Sequence, residues 1–152
     1  MHIAYLADHP DYAATLAHWH YREWQHLLPD WSNEAALEEL QSHTSRRHLP
    51  TTLIAIDNAR LIGSVSLVEE DHPTLSFLSP WLASLYVAPE HRGRGIGAVL
   101  VKALVDEANA LGIARLYLYT EDGQRFYERL GWSSREHAVF DGHRVVVMAI
   151  RP

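Results

Sequence analysis

The residues with the clearest chemical meaning are three glycines that alternate with other residues in the segment Arg92-Gly93-Arg94-Gly95-Ile96-Gly97. Backbone N–H groups at a helix N-terminus lack intrahelical partners and carry partial positive charge, so they can hold a phosphate group. Glycine removes the Cβ atoms that would keep a bulky diphosphate from these donors, and Arg92 and Arg94 add positive charge. Each glycine in a helix's first turns costs up to about 1 kcal/mol relative to alanine, so three together favour a diphosphate-binding role over a simple turn.

Two common nucleotide-binding motifs are close to this segment without matching it. A P-loop would continue with Gly-Lys-Ser/Thr, and the dinucleotide fingerprint is G-x-G-x-x-G, whereas the spacing here is G-x-G-x-G. Glu121 and Asp122 follow the next predicted strand, where a ribose-binding acid could stand, so a Rossmann-type nucleotide binder stays open as an alternative. Against it, a charged turn with Pro89 precedes the first glycine, and no second mononucleotide-binding half follows.

Two motifs, in the right order, resemble those of the GNAT superfamily of N-acetyltransferases. The first is the coenzyme A diphosphate signature Arg/Gln-x-x-Gly-x-Gly/Ala, matched by Arg92, Gly95 and Gly97 after a Val-x-Pro that starts at Val87. The second, similar to the family's Phe-Tyr-x-x-x-Gly-Phe, starts at Phe126. The resemblance implies a single α/β domain over residues 1–152, with a mixed central sheet of about seven strands, splayed fourth and fifth strands, and about four flanking helices.

The same resemblance implies acetyl-CoA as co-substrate and no metal. In this family the pantetheine arm pairs with the edge of the fourth strand, where backbone donors polarise the thioester carbonyl, and the helix start holds the diphosphate. The residues implied to contact the cofactor are Leu85, Tyr86, Val87, Arg92, Gly93, Arg94, Gly95, Ile96, Gly97, Ala98, Thr120 and Phe126. The acetyl group would pass to a primary amine by direct attack in a ternary complex, since a chain without cysteine cannot form a thiol acyl-enzyme.

The resemblance also assigns proton-transfer roles. Tyr127 matches the family tyrosine that protonates the departing thiolate, a reasonable transfer between a phenol of pKa about 10 and a thiol of pKa about 8.5. Many family members carry a Glu or His general base at the start of the fourth strand, where this chain has Trp81. Glu69 and Glu70, at the end of the preceding strand, are the nearest carboxylates, with His72 just beyond. A neutral amine that needs no protein base is the remaining alternative.

The acceptor is predicted less closely than the reaction. Aromatic residues of the N-terminal helical pair could line an acceptor pocket, and we assign Trp24 and Trp81 to it. We predict a small-molecule amine, such as a polyamine, an amino acid or an aminoglycoside. The alternatives are a protein N-terminus or lysine side chain, and a non-catalytic coenzyme A sensor that lacks the strand-four carboxylate.

Periodicity and turn residues predict the elements that position these groups. After a first short strand, helices are predicted at 8–28, from 33, at 93–111 and at 124–130, and strands at 51–56, 61–68, 81–87, 115–119, 139–140 and 144–150. Gly112 and Gly131 would end the last two helices, and Asp141-Gly142 would turn the final hairpin.

Composition sets the remaining expectations. The chain has 152 residues, 47% of them hydrophobic, which suits one domain with one core. Its net charge of −6 argues against binding nucleic acid. His18 and His20 face apart on a helix, and the other histidines show no metal-ligand spacing. The first eight residues resemble no leader and no segment could span a membrane, so we expect a soluble cytoplasmic protein. A homodimer through strand 144–150 is an option that the family implies.

Overall fold

The computed structural model describes residues 1–43 and 45–152. Short 3-10 segments join eleven helices and strands in this part of the chain, in the predicted order. They are β1 (His2–Tyr5), α1 (Ala13–Trp24), α2 (Asn33–Ser42), β2 (Thr51–Asp57), β3 (Arg60–Val68), β4 (Trp81–Val87), α3 (Ile96–Ala110), β5 (Leu116–Thr120), α4 (Gln124–Arg129), β6 (Ser133–Phe140) and β7 (His143–Ile150). None of the helices in the described ranges is long and apolar enough to cross a membrane.

The strands form one seven-stranded sheet in the order β1-β2-β3-β4-β5-β7-β6. All neighbouring pairs are antiparallel except β4 and β5, which are parallel because α3 crosses over between them. This mixed α/β sheet confirms the predicted fold class. β7 pairs on both sides, with β5 and β6, so its backbone is already used within the sheet and the edges belong to β1 and β6.

The N-terminal helix is shorter than predicted. The predicted helix at 8–28 is α1 alone, with 3-10 segments Pro10–Tyr12 before it and Gln25–Leu27 after it. Proline cannot donate a helical hydrogen bond, and Pro10 and Pro29 flank this region. Ser32 caps the start of α2, because its Oγ accepts from the Ala35 backbone N–H at 3.0 Å.

Helix α3 begins later than predicted, at Ile96 instead of residue 93. Gly93 and Gly95 both have a φ of 78°, a left-handed conformation that cannot continue a right-handed helix. The two glycines therefore shape the turn before the helix, and Gly95 is its N-cap. Gly112, with a φ of 75°, follows the other end as predicted.

Helices cover both faces of the sheet. Because side chains alternate along a strand, Leu53 and Ala55 of β2 pack in the core under α3, whereas Ile54 and Ile56 pack against α1 and α2. At Gly63 of β3 a Cβ atom would lie 2.7 Å from the Tyr86 carbonyl oxygen and 3.0 Å from Leu100 Cδ1. Close packing of α3 and β4 against β3 therefore requires glycine at this position.

Candidate active site

Strands β4 and β5 separate soon after they meet. Within the described chain they pair only at Trp81 and Tyr117, near the start of each strand. A cavity of about 490 Å³ lies between the diverging strands, closed on one side by the segment that follows α1. Residues 82–85 of β4 and 118–120 of β5 form two of its walls. The splay leaves the edge of β4 beyond Trp81 without a strand partner, so its backbone groups face the cavity.

Strand β4 carries a bulge at this unpaired edge. Ser66 of β3 pairs with Ala83 and Ser64 pairs with Tyr86, so one residue of β3 faces Ser84 and Leu85. Ser84 has a φ of 56°, and both bulge residues line the cavity. A bulge leaves backbone groups out of the ladder, so the β3 side of β4 does not use all of them here.

A second cavity, of about 540 Å³, adjoins the glycine-rich turn. It is lined by Glu23, Leu85, Tyr86, Val87, His91, Arg92, Gly93, Gly95, Ile96, Gly97, Ala98, Asp122 and Phe126. The first α-helical hydrogen bond of α3 runs from Val99 N–H to Gly95 O, so the N–H groups of residues 95–98 precede it and have no partner within the helix. A Cβ at Gly93 or Gly95 would have no neighbouring atom within 4 Å, which shows open space above the turn. A diphosphate fits this arrangement of donors and space.

Arg92 is held across the end of β4. Its Nε donates to the Val87 carbonyl oxygen at 2.8 Å, and its guanidinium carbon lies 5.4 Å from the centroid of the Tyr86 ring. Glu23 is 3.9 Å from the Arg92 Nη2. These contacts fix a positive charge at the rim of the second cavity, where an anionic group would be attracted.

Tyr127 of α4 lines the first cavity although its side chain is buried. Burial raises the pKa of the Tyr127 phenol, and Asp122 raises it further, so the hydroxyl keeps its proton. Gly123 makes this position possible. A Cβ there would lie 2.8 Å from Thr120 Oγ1 and 3.2 Å from Tyr127 Cε2.

Asp71 lines the same cavity, in the connection that follows β3. Removal from water raises the pKa of its carboxyl group to about 7, and the nearby charge of Glu39 adds to this effect. Burial also raises the pKa of the Tyr119 phenol, with Asp71 as the next contribution. Asp71 is therefore a carboxylate that can gain or lose a proton near neutral pH.

A family model described as the GNAT acetyltransferase family matches residues 13–132. The chain belongs to the GNAT acetyltransferase family. A curated relative, N-alpha-acetyltransferase 30 of Schizosaccharomyces pombe, is 34% identical over 85 residues. That match covers 53% of this chain and 56% of the yeast protein, so the chain spans little more than half of that relative's length.

Solved structures of several acetyltransferases have the same fold as this chain. The ribosomal-protein-alanine N-acetyltransferase of Brucella melitensis superposes with a TM-score of 0.78 over 100% of both chains, at 18% identity. An aminoglycoside 6'-N-acetyltransferase in complex with coenzyme A superposes with a TM-score of 0.77, over 99% of this chain and 97% of that one, also at 18% identity. The likeness covers the whole GNAT fold. Among the described strands only the pair β4–β5 is parallel, whereas a Rossmann-type sheet is mostly parallel.

The structure brings most of the residues predicted for the cofactor to one place in this GNAT protein. Ten of the twelve line the second cavity: Leu85, Tyr86, Val87, Arg92, Gly93, Gly95, Ile96, Gly97, Ala98 and Phe126. Thr120 lines the first cavity instead, and its Oγ1 accepts from the Gly123 N–H at 2.9 Å. Arg94 is exposed, with its Nη1 2.9 Å from His91 Nδ1.

Of the predicted bases and the tryptophans predicted to bind the acceptor, only one lines a described cavity. Glu69 and Glu70 are exposed and are not among the described residues that line either cavity, whereas Asp71, the next residue, is. Trp24 lines the first cavity. Trp81 does not, because its side chain is fully buried and its Nε1 donates to the Leu78 carbonyl oxygen at 2.7 Å. The first residue of β4 faces the core, so a contact between Trp81 and an acceptor has no support in this geometry.

Three acidic residues of the first cavity were not predicted from the sequence. Asp71 lies in the run Glu69-Glu70-Asp71, and nothing in this run indicates which carboxylate lines the cavity. That depends on how the chain leaves the sheet after β3. Glu39 and Glu23 lie on the predicted helices with no motif to mark them. Apart from their place on the N-terminal helical pair, the sequence holds no signal that could have found them.

Proposed function

We propose that this protein is an acetyl-CoA-dependent N-acetyltransferase that acetylates a primary amine of a small, cationic molecule by direct attack in a ternary complex. The observation that carries the proposal is the junction of the two cavities between the splayed strands. Glu23, Leu85, Asp122 and Phe126 line both cavities. A cofactor bound along the second cavity can present its reactive end to an acceptor bound in the first, which is the proximity that transfer between two bound molecules needs.

The chain's own residues supply the binding site for the donor. The backbone N–H groups of residues 95–98 would hold the diphosphate, with Arg92 beside them. The unpaired edge of β4 would align the pantetheine arm, and backbone donors at the Ser84–Leu85 bulge would polarise the carbonyl. When bound, acetyl-CoA supplies an activated acetyl group as a thioester. The solved aminoglycoside 6'-N-acetyltransferase is in complex with coenzyme A, which supports the same ligand here.

Two side chains of the first cavity can move the protons. Asp71, with its pKa near 7, would take a proton from the incoming ammonium group, directly or through water. Tyr127, which keeps its phenolic proton, would donate it to the departing thiolate. Glu69 and Glu70, the bases proposed from the sequence, are the alternatives to Asp71, but they lie outside the cavity.

The first cavity, which would hold the acceptor and is called the acceptor cavity below, favours a small cationic amine. Its volume of about 490 Å³ falls within the roughly 300–1,000 Å³ of ligand pockets. Trp24 and Trp31 form part of its wall, and Glu23, Glu39, Asp71, Glu121 and Asp122 supply negative charge. Aromatic faces and carboxylates together attract ammonium groups. The similarity to the yeast N-alpha-acetyltransferase favours a protein N-terminus as the second candidate acceptor.

Calorimetric titration with acetyl-CoA tests the donor half of the proposal. We expect binding to the wild type, loss of binding in Gly95→Trp, and no binding of NAD. Gly112→Trp is the matched control because Gly112 is also exposed, also flanks α3 and has a φ of 75° against 78° for Gly95. A wild type that ignores acetyl-CoA, or equal loss in both variants, would contradict the proposal.

Turnover separates the candidate functions. We expect release of coenzyme A with polyamines, aminoglycosides or other small diamines and little release with peptides that have a free N-terminus. Faster turnover of the peptides would favour the second candidate. Binding of acetyl-CoA without turnover of any amine would indicate a coenzyme A sensor.

A further inference from the structure

Three potential metal ligands, distant in the sequence, converge at the mouth of the first cavity. His26 lies in the 3-10 segment after α1, Glu121 directly follows β5, and His143 is the first residue of β7. His26 Nε2 is 2.9 Å from Glu121 Oε1, and His143 Nδ1 is 3.3 Å from Glu121 Oε2. One ligand atom from each residue lies within 4.8 Å of the other two.

This donor set suits a particular class of cation. Imidazole nitrogens bind Zn²⁺, Cu²⁺ and Ni²⁺ well, and a carboxylate oxygen completes many such sites, whereas Mg²⁺ prefers oxygen ligands. Zinc–nitrogen bonds of about 2.0–2.1 Å put the ligand atoms of a tetrahedral site about 3.3 Å apart. His26 and His143 approach different oxygens of Glu121, at 2.9 Å through a hydrogen bond and at 3.3 Å, and one ligand atom from each of the three residues lies within 4.8 Å of the other two. Small rotations of partly exposed side chains would complete the geometry.

Stability alone does not account for the convergence. All three side chains are partly exposed, with exposed fractions of 48% for His26, 33% for Glu121 and 35% for His143. Exposed pairs of this kind contribute little to the free energy of unfolding. The two imidazole rings nevertheless lie edge to face with centroids 5.3 Å apart, and each approaches a different oxygen of one carboxylate.

We propose that His26, Glu121 and His143 form a binding site for a zinc-class divalent cation. Three protein ligands leave at least one coordination position open. His26 and Glu121 also line the acceptor cavity, so the bound ion would add positive charge there and occupy the Glu121 carboxylate. The ion is therefore not a cofactor of acetyl transfer. If the proposed function holds, it is an inhibitor that competes with the cationic acceptor.

Calorimetric titration of the metal-free protein with Zn²⁺ tests the site without an activity assay. We expect one ion per chain in the wild type and an affinity at least about tenfold weaker in His26→Gln and in His143→Gln, since even outer-sphere changes at metal sites cost that much. His137→Gln is the control, because His137 is exposed on the neighbouring strand β6. Circular dichroism checks that each variant is folded.

The outcomes are distinct. A wild type that does not bind Zn²⁺, that binds Mg²⁺ equally well, or that loses no affinity in either cluster variant would overturn the site. In kinetic assays, Zn²⁺ should raise the acceptor KM of the wild type without changing kcat, and should not do so in His143→Gln. Unchanged acceptor kinetics in the zinc-loaded protein would overturn the competition alone. Absence of turnover in the metal-free protein would overturn the proposed function, while the calorimetric result would still decide the site.

Discussion

Tyr127 lines the first cavity and is protonated, as a proton donor must be. Burial raises the pKa of its phenol, which keeps the proton in place but makes the hydroxyl a weaker acid than free tyrosine. The neighbouring Gly123 leaves room for the ring beside Thr120. At this scale, the proposed proton donor is one hydroxyl group on a ring that packs in the core, beside a glycine four residues before it.

Removing that hydroxyl should slow the reaction while leaving the fold intact. For Tyr127→Phe we expect kcat to fall by about 10²–10⁴-fold, the usual contribution of a general acid, with little change in the affinity for acetyl-CoA. Steady-state kinetics and calorimetry measure the two quantities. Tyr117→Phe is the control, since Tyr117 is also on an aromatic stretch but does not line the described cavities. A fall in kcat of the same size in both variants would argue against a proton-donor role.

The carboxylate of Asp71 should set the pH dependence. A general base acts when it is deprotonated, so a pKa of about 7 predicts that kcat/KM rises with pH through about pH 7. Burial keeps the pKa of Asp71 high, and the charge of Glu39 of α2 adds to this effect; Tyr119 of β5 is the phenol whose own pKa the charge of Asp71 helps to raise. Asp71→Asn should remove the rise, measured as a pH profile with an acceptor whose own ionisation is known.

Glu69→Gln and Glu70→Gln are the matched controls for Asp71→Asn. Both positions are exposed neighbours of Asp71, and both were the bases expected from the sequence. We expect each variant to keep the wild-type pH profile. If either loses the rise near pH 7 while Asp71→Asn keeps it, the base is that glutamate.

At the scale of the elements, β3 packs very closely against β4 and α3. Gly63 sits where the Tyr86 carbonyl oxygen and the Leu100 side chain leave no room for a methyl group. This close contact fixes the end of β4 against β3, beyond the residues 82–85 that line the first cavity. The splayed part of β4 therefore leads into a rigidly packed end of the strand.

Gly63→Ala should destabilise the fold. A Cβ placed 2.7 Å from a backbone oxygen forces a shift of β4, so we expect the free energy of unfolding to fall by about 1–3 kcal/mol in denaturant titrations. Gly97→Ala is the control, because its Cβ would meet Phe126 at 3.5 Å, an ordinary contact. Equal stability of Gly63→Ala and the wild type would show that the strands can separate without cost.

Across the whole molecule, negative charge is concentrated where the proposed acceptor binds. The net charge is −6, and five carboxylates line the first cavity. A cavity with charges of one sign attracts oppositely charged ligands over distances that depend on salt. The charge pattern thus connects the overall composition with the class of acceptor.

Salt should weaken the capture of a cationic acceptor. Between 0.01 M and 0.15 M ionic strength the screening length falls from about 30 Å to about 8 Å, so we expect kcat/KM for a diamine to fall at least about threefold. The fall should be smaller in Glu39→Gln, which removes a cavity charge, than in Glu38→Gln, its exposed neighbour on α2. Acceptor kinetics that do not respond to salt would argue against electrostatic capture.

The order of the elements and the donor-binding turn could be predicted from the sequence because both depend on local chemistry. Helix α3 can be predicted because its apolar side chains recur every 3.6 residues. The hairpin turn at Asp141-Gly142 can be predicted because it needs residues that tolerate a positive φ, and the φ angles there are 49° and 82°. Gly93 and Gly95, in the turn before α3, also have a positive φ, so the turn itself favours glycine at these positions. The start of that helix was misplaced by three residues, since periodicity does not reveal which glycines lie outside it.

The acceptor side depended on tertiary structure. Adjacent residues of a strand face opposite ways, which separates the core-facing Trp81 from Leu82, the next residue of β4 and a lining residue. Asp71 lines the cavity and Glu70 is exposed in the connection after β3, where no strand periodicity indicates which carboxylate turns inward. The cavity itself exists because β4 and β5 pair at one position and then diverge. His26, Glu121 and His143 meet only after three separate elements pack together. Sequence alone therefore determined the family, the sheet's elements and the donor turn, whereas long-range packing decided which side chains share the cavity, because such contacts leave no local pattern.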